Sequence, residues 1–198
     1  MNRPSLFSPV PFASAAVFSS VLALAGCGGP QWVIHAQAAP DPFLNQRSFS
    51  VAPTDFSGYL VGGKTEAEYL STKKPETQES FQADKVGIDE AFANALVGRS
   101  QGAGINVART AGANGPPFEI RPILQWLEPG YYAGVSAAPA ELRMVVRITK
   151  PDGTLVDEIE VKERGRGLAT GERVRRAAQK LGEDVSAYLT MRVTGGAK

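Results

Sequence analysis

The sequence predicts an α+β fold, a two-layer α/β sandwich with a mainly antiparallel sheet and two long amphipathic helices on one of its faces. Three observations predict it. Leu142, Met144, Val146 and Ile148 alternate with Arg143, Arg147 and Thr149, which is the period of a half-buried strand. Lys150-Pro151-Asp152-Gly153-Thr154 then supplies a turn, and Leu155 to Val161 returns as the second arm of a hairpin. Between Thr170 and Arg192, Val174, Ala177, Ala178, Leu181, Val185, Tyr188 and Leu189 form one apolar stripe at helical spacing, with Arg173, Arg175, Arg176 and Lys180 on the remaining surface. A second helix over 76–98 carries Phe81, Ile88, Phe92, Ala95 and Leu96 in the same way. A sheet with one apolar face and helices with one apolar stripe bury those surfaces against each other.

The remaining elements follow in order. Arg47 to Pro53 alternates, with Phe49 and Val51 on one side, and reads as a short strand that opens a single domain over 47–194. Thr65-x-x-Glu68 is a capping-box pattern that starts a short helix carrying Tyr69 and Leu70. Pro75 marks a break or the first turn of the long helix, and Gly98 and Gly102 mark its end. The glycine-rich passage after Ser100 lacks the Lys-Ser/Thr pair of a phosphate loop and reads as turns around a short strand, Ile105 to Ala108. Phe118, Ile120, Leu124 and Trp126 alternate on one face of the next strand, where Pro122 predicts an edge position or a bulge.

The chain has 198 residues, one cysteine and one histidine. That excludes an intramolecular disulfide and a zinc site of the usual Cys/His ligands, and no motif points to a cofactor. Beyond residue 26 the formal charges balance, because Arg3 is the only charged side chain before that point. A nucleic-acid partner, which calls for a net basic field, is not expected.

Residues 1–26 have Arg3, then an apolar and small-residue run, Pro11 to Gly26, which is the pattern of a secretory signal peptide. Its strongly apolar part is shorter than the roughly 20 residues of a membrane-spanning helix. Leu24-Ala25-Gly26-Cys27 resembles the lipobox of bacterial lipoproteins. The resemblance implies cleavage before Cys27, acylation of its thiol and amine, and a membrane-lipid partner for the mature chain. Two or three acyl chains anchor firmly where one is marginal. By the sorting rule of Gram-negative lipoproteins, Gly28 after the cysteine implies the outer membrane. Gly- and Pro-punctuated residues 27–46 then read as the lipidated cysteine and its tether, with Trp32, Val33 and Ile34 resting on lipid or docking on the domain. His35 falls in that segment, a poor place for a catalytic base.

Three features carry functional expectations. Glu128-Pro129-Gly130 suits a type II turn and delivers Tyr131 and Tyr132 to a loop between two strands, where paired aromatics can form a contact patch. Lys162 to Lys180 holds seven Lys/Arg against two Glu, and Gly165 and Gly167 free Arg164 and Arg166 to reach an acidic partner. The carboxylates Asp84, Asp89, Glu90, Asp157, Glu158 and Glu160 are the remaining acid–base groups, and a glycosidase needs two of them converging in a cleft.

From Phe118 to Val193 the chain resembles an uncharacterised class of bacterial lipoproteins, in which Glu128-Pro129-Gly130 leads to a strand, an Asp152-Gly153-Thr154 hairpin and a long C-terminal helix. More loosely, the layout is similar to the α/β domains of curli-secretion-type and penicillin-binding-protein-activator lipoproteins. What the resemblance implies is a fold and a compartment. The expectation is a lipid-anchored, non-enzymatic binding or assembly module of the outer membrane, with a protein or envelope-component partner at Tyr131, Tyr132, Arg164 and Arg166. The alternatives are an enzyme on envelope glycans that uses Asp/Glu acids, or a small-ligand or lipid carrier with an apolar cavity between sheet and helices.

Overall fold

The computed structural model describes residues 32–109 and 115–196. Leu24, Ala25, Gly26, Cys27 and Gly28 lie outside the described residues, as does part of the glycine-rich passage. In chain order the elements are β1 (Trp32–Gln37), β2 (Ser48–Val51), β3 (Leu60–Val61), β4 (Lys64–Thr65), α1 (Glu66–Ser71), α2 (Pro75–Gly102), β5 (Asn106–Ala108), β6 (Glu119–Glu128), β7 (Tyr131–Tyr132), β8 (Ala137–Ala138), β9 (Ala140–Thr149), β10 (Leu155–Gly165) and α3 (Thr170–Thr194).

The expected class is observed: a large sheet with the long helices packed on one face. Its order is β1-β10-β9-β6-β2-β5, with β3 also against β6. The long neighbours β1, β10, β9 and β6 are antiparallel. The short strands add parallel pairs, β2 with both β5 and β6, and β3 with β6. Parallel neighbours need a long crossover, and α1 and α2 lie between β2 and β5.

The hairpin matches its prediction. Leu142, Met144, Val146 and Ile148 of β9 are fully buried beside Ile159 and Val161 of β10. Above them lies the α3 stripe, buried from Val174 to Val193. The two long helices run parallel: Asp84 of α2 lies by Gly171 of α3, Phe92 by Gly182, and Ser100 donates to or accepts from Ser186 across 3.0 Å. Thr65 and Glu68 make the reciprocal capping box, with Thr65 N–H donating to Glu68 Oε2 at 2.8 Å.

Three local readings need correction. Helix α2 continues through Gly98 to Gly102, because packing against α3 outweighs the roughly 1 kcal/mol that glycine costs in a helix interior. Pro122 is in an inner strand. Its carbonyl accepts from Asp55 N–H (2.9 Å) on the side where β2 has already ended, so its missing N–H breaks no ladder. A bulge between Leu124 and Trp126 shifts the alternation, so Leu127 rather than Trp126 enters the core.

The largest difference concerns the tether. Trp32 to Gln37 forms an edge strand on β10, with Trp32 opposite Val161 and Gln37 opposite Asp157. The Trp32 ring meets Tyr188 edge-on at 5.7 Å. The chain then closes over a buried carboxylate: Asp157 accepts from Ala38 N–H (3.0 Å) and Tyr188 O–H (2.5 Å), and it pairs with Arg192 (2.9 Å). Arg192 also pairs with Asp41 (2.9 Å) and lies over the ring of buried Phe43, which packs on Phe49 and Phe118. Residues 32–46 are thus part of the packed fold.

Candidate contact surface

The strands β6 and β10 end, and β9 begins, at one end of the sheet; the Pro151–Thr154 turn marks the opposite end. Glu128-Pro129-Gly130 leaves β6 with Gly130 at φ +64°, a conformation that favours glycine. A Cβ there would also collide with the carbonyls of Ala138 and Pro139. The turn launches β7, which pairs with β8 so that Tyr131 faces Ala138 and Tyr132 faces Ala137. The tip closes through Ala133 N–H to Ser136 C=O (2.8 Å), and the Tyr131 and Ser136 hydroxyls lie 3.1 Å apart. Both tyrosines stay half exposed, at 53% and 50%, and Val135 at the tip is fully exposed.

Arg164 and Arg166 reach the same end from β10. They flank a cavity of about 480 Å³ lined by Pro139, Arg164, Gly165, Arg166, Arg176 and Lys180. A second, of about 300 Å³, is lined by Ala137, Ala138, Pro139, Arg166, Gly167 and Arg173. Arg166 and Pro139 belong to both, so the two sequence features meet at one surface. Leu168, 69% exposed, adds an apolar side chain beside the arginines.

Three of the cations have carboxylate partners: Arg164 with Glu141 (2.7 Å), Arg176 with Glu172 (2.7 Å) and Lys180 with Glu163 (3.5 Å). Partial burial works to raise the Glu141 carboxyl, but hydrogen bonds from Lys162 and Arg164 outweigh it and hold it below the usual carboxylate range. Among the described residues Arg166 has no ion-pair partner. The Arg176–Glu172 pair is exposed on both sides and contributes about 0–1 kcal/mol, so Arg176 can exchange partners at little cost.

Arg173 organises the surface from beneath, and sequence reasoning placed it on the polar side of its helix. It is 3% exposed; Nε donates to Pro129 C=O (3.2 Å), Nη1 to Leu168 C=O (2.9 Å) and Nη2 to Thr170 Oγ1 (3.0 Å). One guanidinium therefore ties the turn before the tyrosines to the loop that carries Arg166 and Leu168. The available signal was spacing, since position 173 lies four residues before Ala177 and eight before Leu181, on the buried stripe.

The candidate carboxylates do not converge. Asp89 accepts from Thr54 N–H (2.7 Å) and pairs with Arg109 (3.2 Å). Asp84 lies beside the start of α3, and burial raises its carboxyl despite the Arg175 and Arg173 charges. Asp157 is enclosed in the Arg192–Tyr188 cluster. Glu158 and Glu160 lie on the helix-free sheet face, paired with Arg147 (2.7 Å) and with Arg143 (3.5 Å) and His35 (3.4 Å). A cleft of about 490 Å³ at the opposite end is lined by Asp55, Glu119, Arg121 and Arg147. Hydrogen bonds from Ser57 hold Asp55 below its ordinary range, and Glu119 is paired with Arg121 at 2.5 Å. Between α2, α3 and β6 the cavity is about 10 Å³, too small for a ligand. No described helix is long and apolar enough to cross a membrane.

No protein-family model matches the sequence, and no curated protein does. Solved structures do resemble it. A PelC dodecamer from Paraburkholderia phytofirmans is 11% identical over 77% of this chain and 96% of its own, with a TM-score of 0.43. A protein of the DUF330 family from Xanthomonas campestris is 10% identical over 81% of this chain and 93% of its own, with a TM-score of 0.40. Likeness of this extent carries no function across.

Proposed function

We propose that the chain is a lipid-anchored, non-enzymatic binding module of the outer membrane, acylated at Cys27, whose contact surface is the end formed by Tyr131, Tyr132, Arg164 and Arg166. The observation that carries this reading is the convergence of an exposed aromatic hairpin and a basic segment on one buried arginine, Arg173. Aromatic side chains and arginines dominate binding energy where they cluster. Against catalysis stands the state of the acids. A glycosidase needs a protonated general acid facing a second carboxylate in one cleft, whereas the raised carboxyls, Asp84 and Asp184, lie outside the cleft shared by Asp55 and Glu119, and Asp55 there is held low by Ser57. A carrier needs a cavity under the helices, and the one found there holds about 10 Å³.

The test is a photo-crosslinking side chain in place of Tyr132 in living cells, with a second probe at exposed Val86 of α2 as reference. Capture at position 132 and not at 86 is expected. Equal or absent capture refutes the assigned surface. Fatty-acid labelling that persists in Cys27→Ala refutes the anchor.

A further inference from the structure

The partner of this surface is defined by where the anchor enters. β1 runs antiparallel to β10, and Trp32 pairs with Val161, four residues short of the end of β10 at Gly165. The chain therefore enters β1 from the direction of the tyrosine hairpin. Only five residue steps separate Cys27 from Trp32, which span at most about 18 Å when extended. Four strand residues, from Val161 to Gly165, already cover about 13 Å of that height. Five extended steps are therefore long enough to bring a lipidated Cys27 to the level of the hairpin and the arginine loop.

We infer, resting on the proposed acylation of Cys27, that this end of the fold lies on the anionic phospholipid leaflet that holds the anchor. The side chains match an interfacial role. Tyr131 and Tyr132 are amphipathic, and Val135 and Leu168 are exposed apolar side chains. Arg164, Arg166, Arg176 and Lys180 surround one cavity at the same level, and three of them pair with Glu141, Glu172 and Glu163 through cation heads that remain more than half exposed. Lipid phosphates offer these cations stronger acceptors, and juxtamembrane Lys/Arg are drawn to an anionic surface. α2 and α3 both begin at this end, so their positive dipole ends add to the same field.

The test uses the full lipidated protein in vesicles of phosphatidylethanolamine and phosphatidylglycerol. With Cys27 acylated, Val135→Cys supplies a single free thiol for a nitroxide, and Leu155→Cys, exposed at the opposite end, supplies the reference. Several-fold greater oxygen accessibility at 135 than at 155, falling in phosphatidylcholine alone, is expected. Protein that floats with the vesicles while both labels report water overturns the inference and leaves the anchor standing. Protein that does not float overturns the anchor itself. Contact that is unchanged in phosphatidylcholine overturns the role given to the arginines.

Discussion

Asp184 shows how a single residue sets a pH dependence. It lies on α3 beside Glu183 and near Glu163 of β10, with one carboxyl oxygen shielded from water and without a hydrogen-bond partner. Burial, then the neighbouring Glu163 and Glu183 charges, push its pKa up to about 7. The unfolded chain ionises it near the ordinary value of about 3.9. Above pH 7 both states are ionised, and the fold bears the whole cost of the unfavourable site. As pH falls from 7 towards 4 the folded state takes up its proton first, and the cost fades. Asp184→Asn is therefore expected to stabilise the protein at pH 8 by on the order of 1–2 kcal/mol, a figure reduced for partial solvent screening. The gain shrinks progressively below pH 7. Urea melts at pH 8, 6 and 4.5 check it; a gain that does not depend on pH removes ionisation as the cause.

At the scale of elements, α3 approaches α2 closely at Gly182. A Cβ on Gly182 would strike the Phe92 carbonyl and lie 3.0 Å from Leu96 N, backbone atoms that cannot yield without separating the helices. Alanine improves helix propensity by about 1 kcal/mol, but overpacking costs about 1–3 kcal/mol. Gly182→Ala is expected to lower stability by about 1 kcal/mol and Gly182→Val by more. Gly98, in α2 with nothing near its Cβ position, gives the opposite sign, a gain of up to about 1 kcal/mol on Gly98→Ala. Denaturant midpoints that move in the same direction for both sites would contradict this packing argument. Elements of this kind were legible where period and capping agreed, as in the β9–β10 hairpin, the Thr65–Glu68 cap and the α3 stripe. What stayed hidden depends on partners distant in sequence. The bulge that turns Trp126 out of the core has no local mark, and the pairing of β1 with β10 joins positions 32 and 161. Gly28, Gly29 and Pro30 read as a spacer, while Trp32, Val33 and Ile34 were the strand signal beside them. The contact surface was legible in its parts, Tyr131, Tyr132, Arg164 and Arg166, but not in the arginine that joins them. Among the described residues Arg173 makes no ion pair and is held by backbone carbonyls from two separate loops.

For the whole molecule, the docking of β1 changes what the proposed acylation of Cys27 would do. A tether of some twenty residues would let the domain range freely; five residue steps to an edge strand would hold it near the surface. The two ends of the fold then have different surroundings. The end with the Asp55–Glu119 cleft and the Pro151–Thr154 turn would face away from the proposed anchor, and the hairpin end, from which the chain enters β1, would face it. The charges beyond residue 26 balance overall, so this polarity arises from placement, with both long helices starting at the hairpin end. In this arrangement the tether acts through effective concentration, which falls roughly as the −3/2 power of linker length. Inserting about fifteen Gly/Ser residues between Gly29 and Pro30 makes the linker about four times longer, and the equilibrium between surface-bound and free domain is expected to shift about eightfold towards free. The ratio of immobilised to mobile components in the spectrum of a nitroxide at Val135→Cys, with and without the insertion, measures that shift. A ratio indifferent to the insertion would show that contact strength alone, and not the short path from Cys27 to Trp32, holds this end against the bilayer.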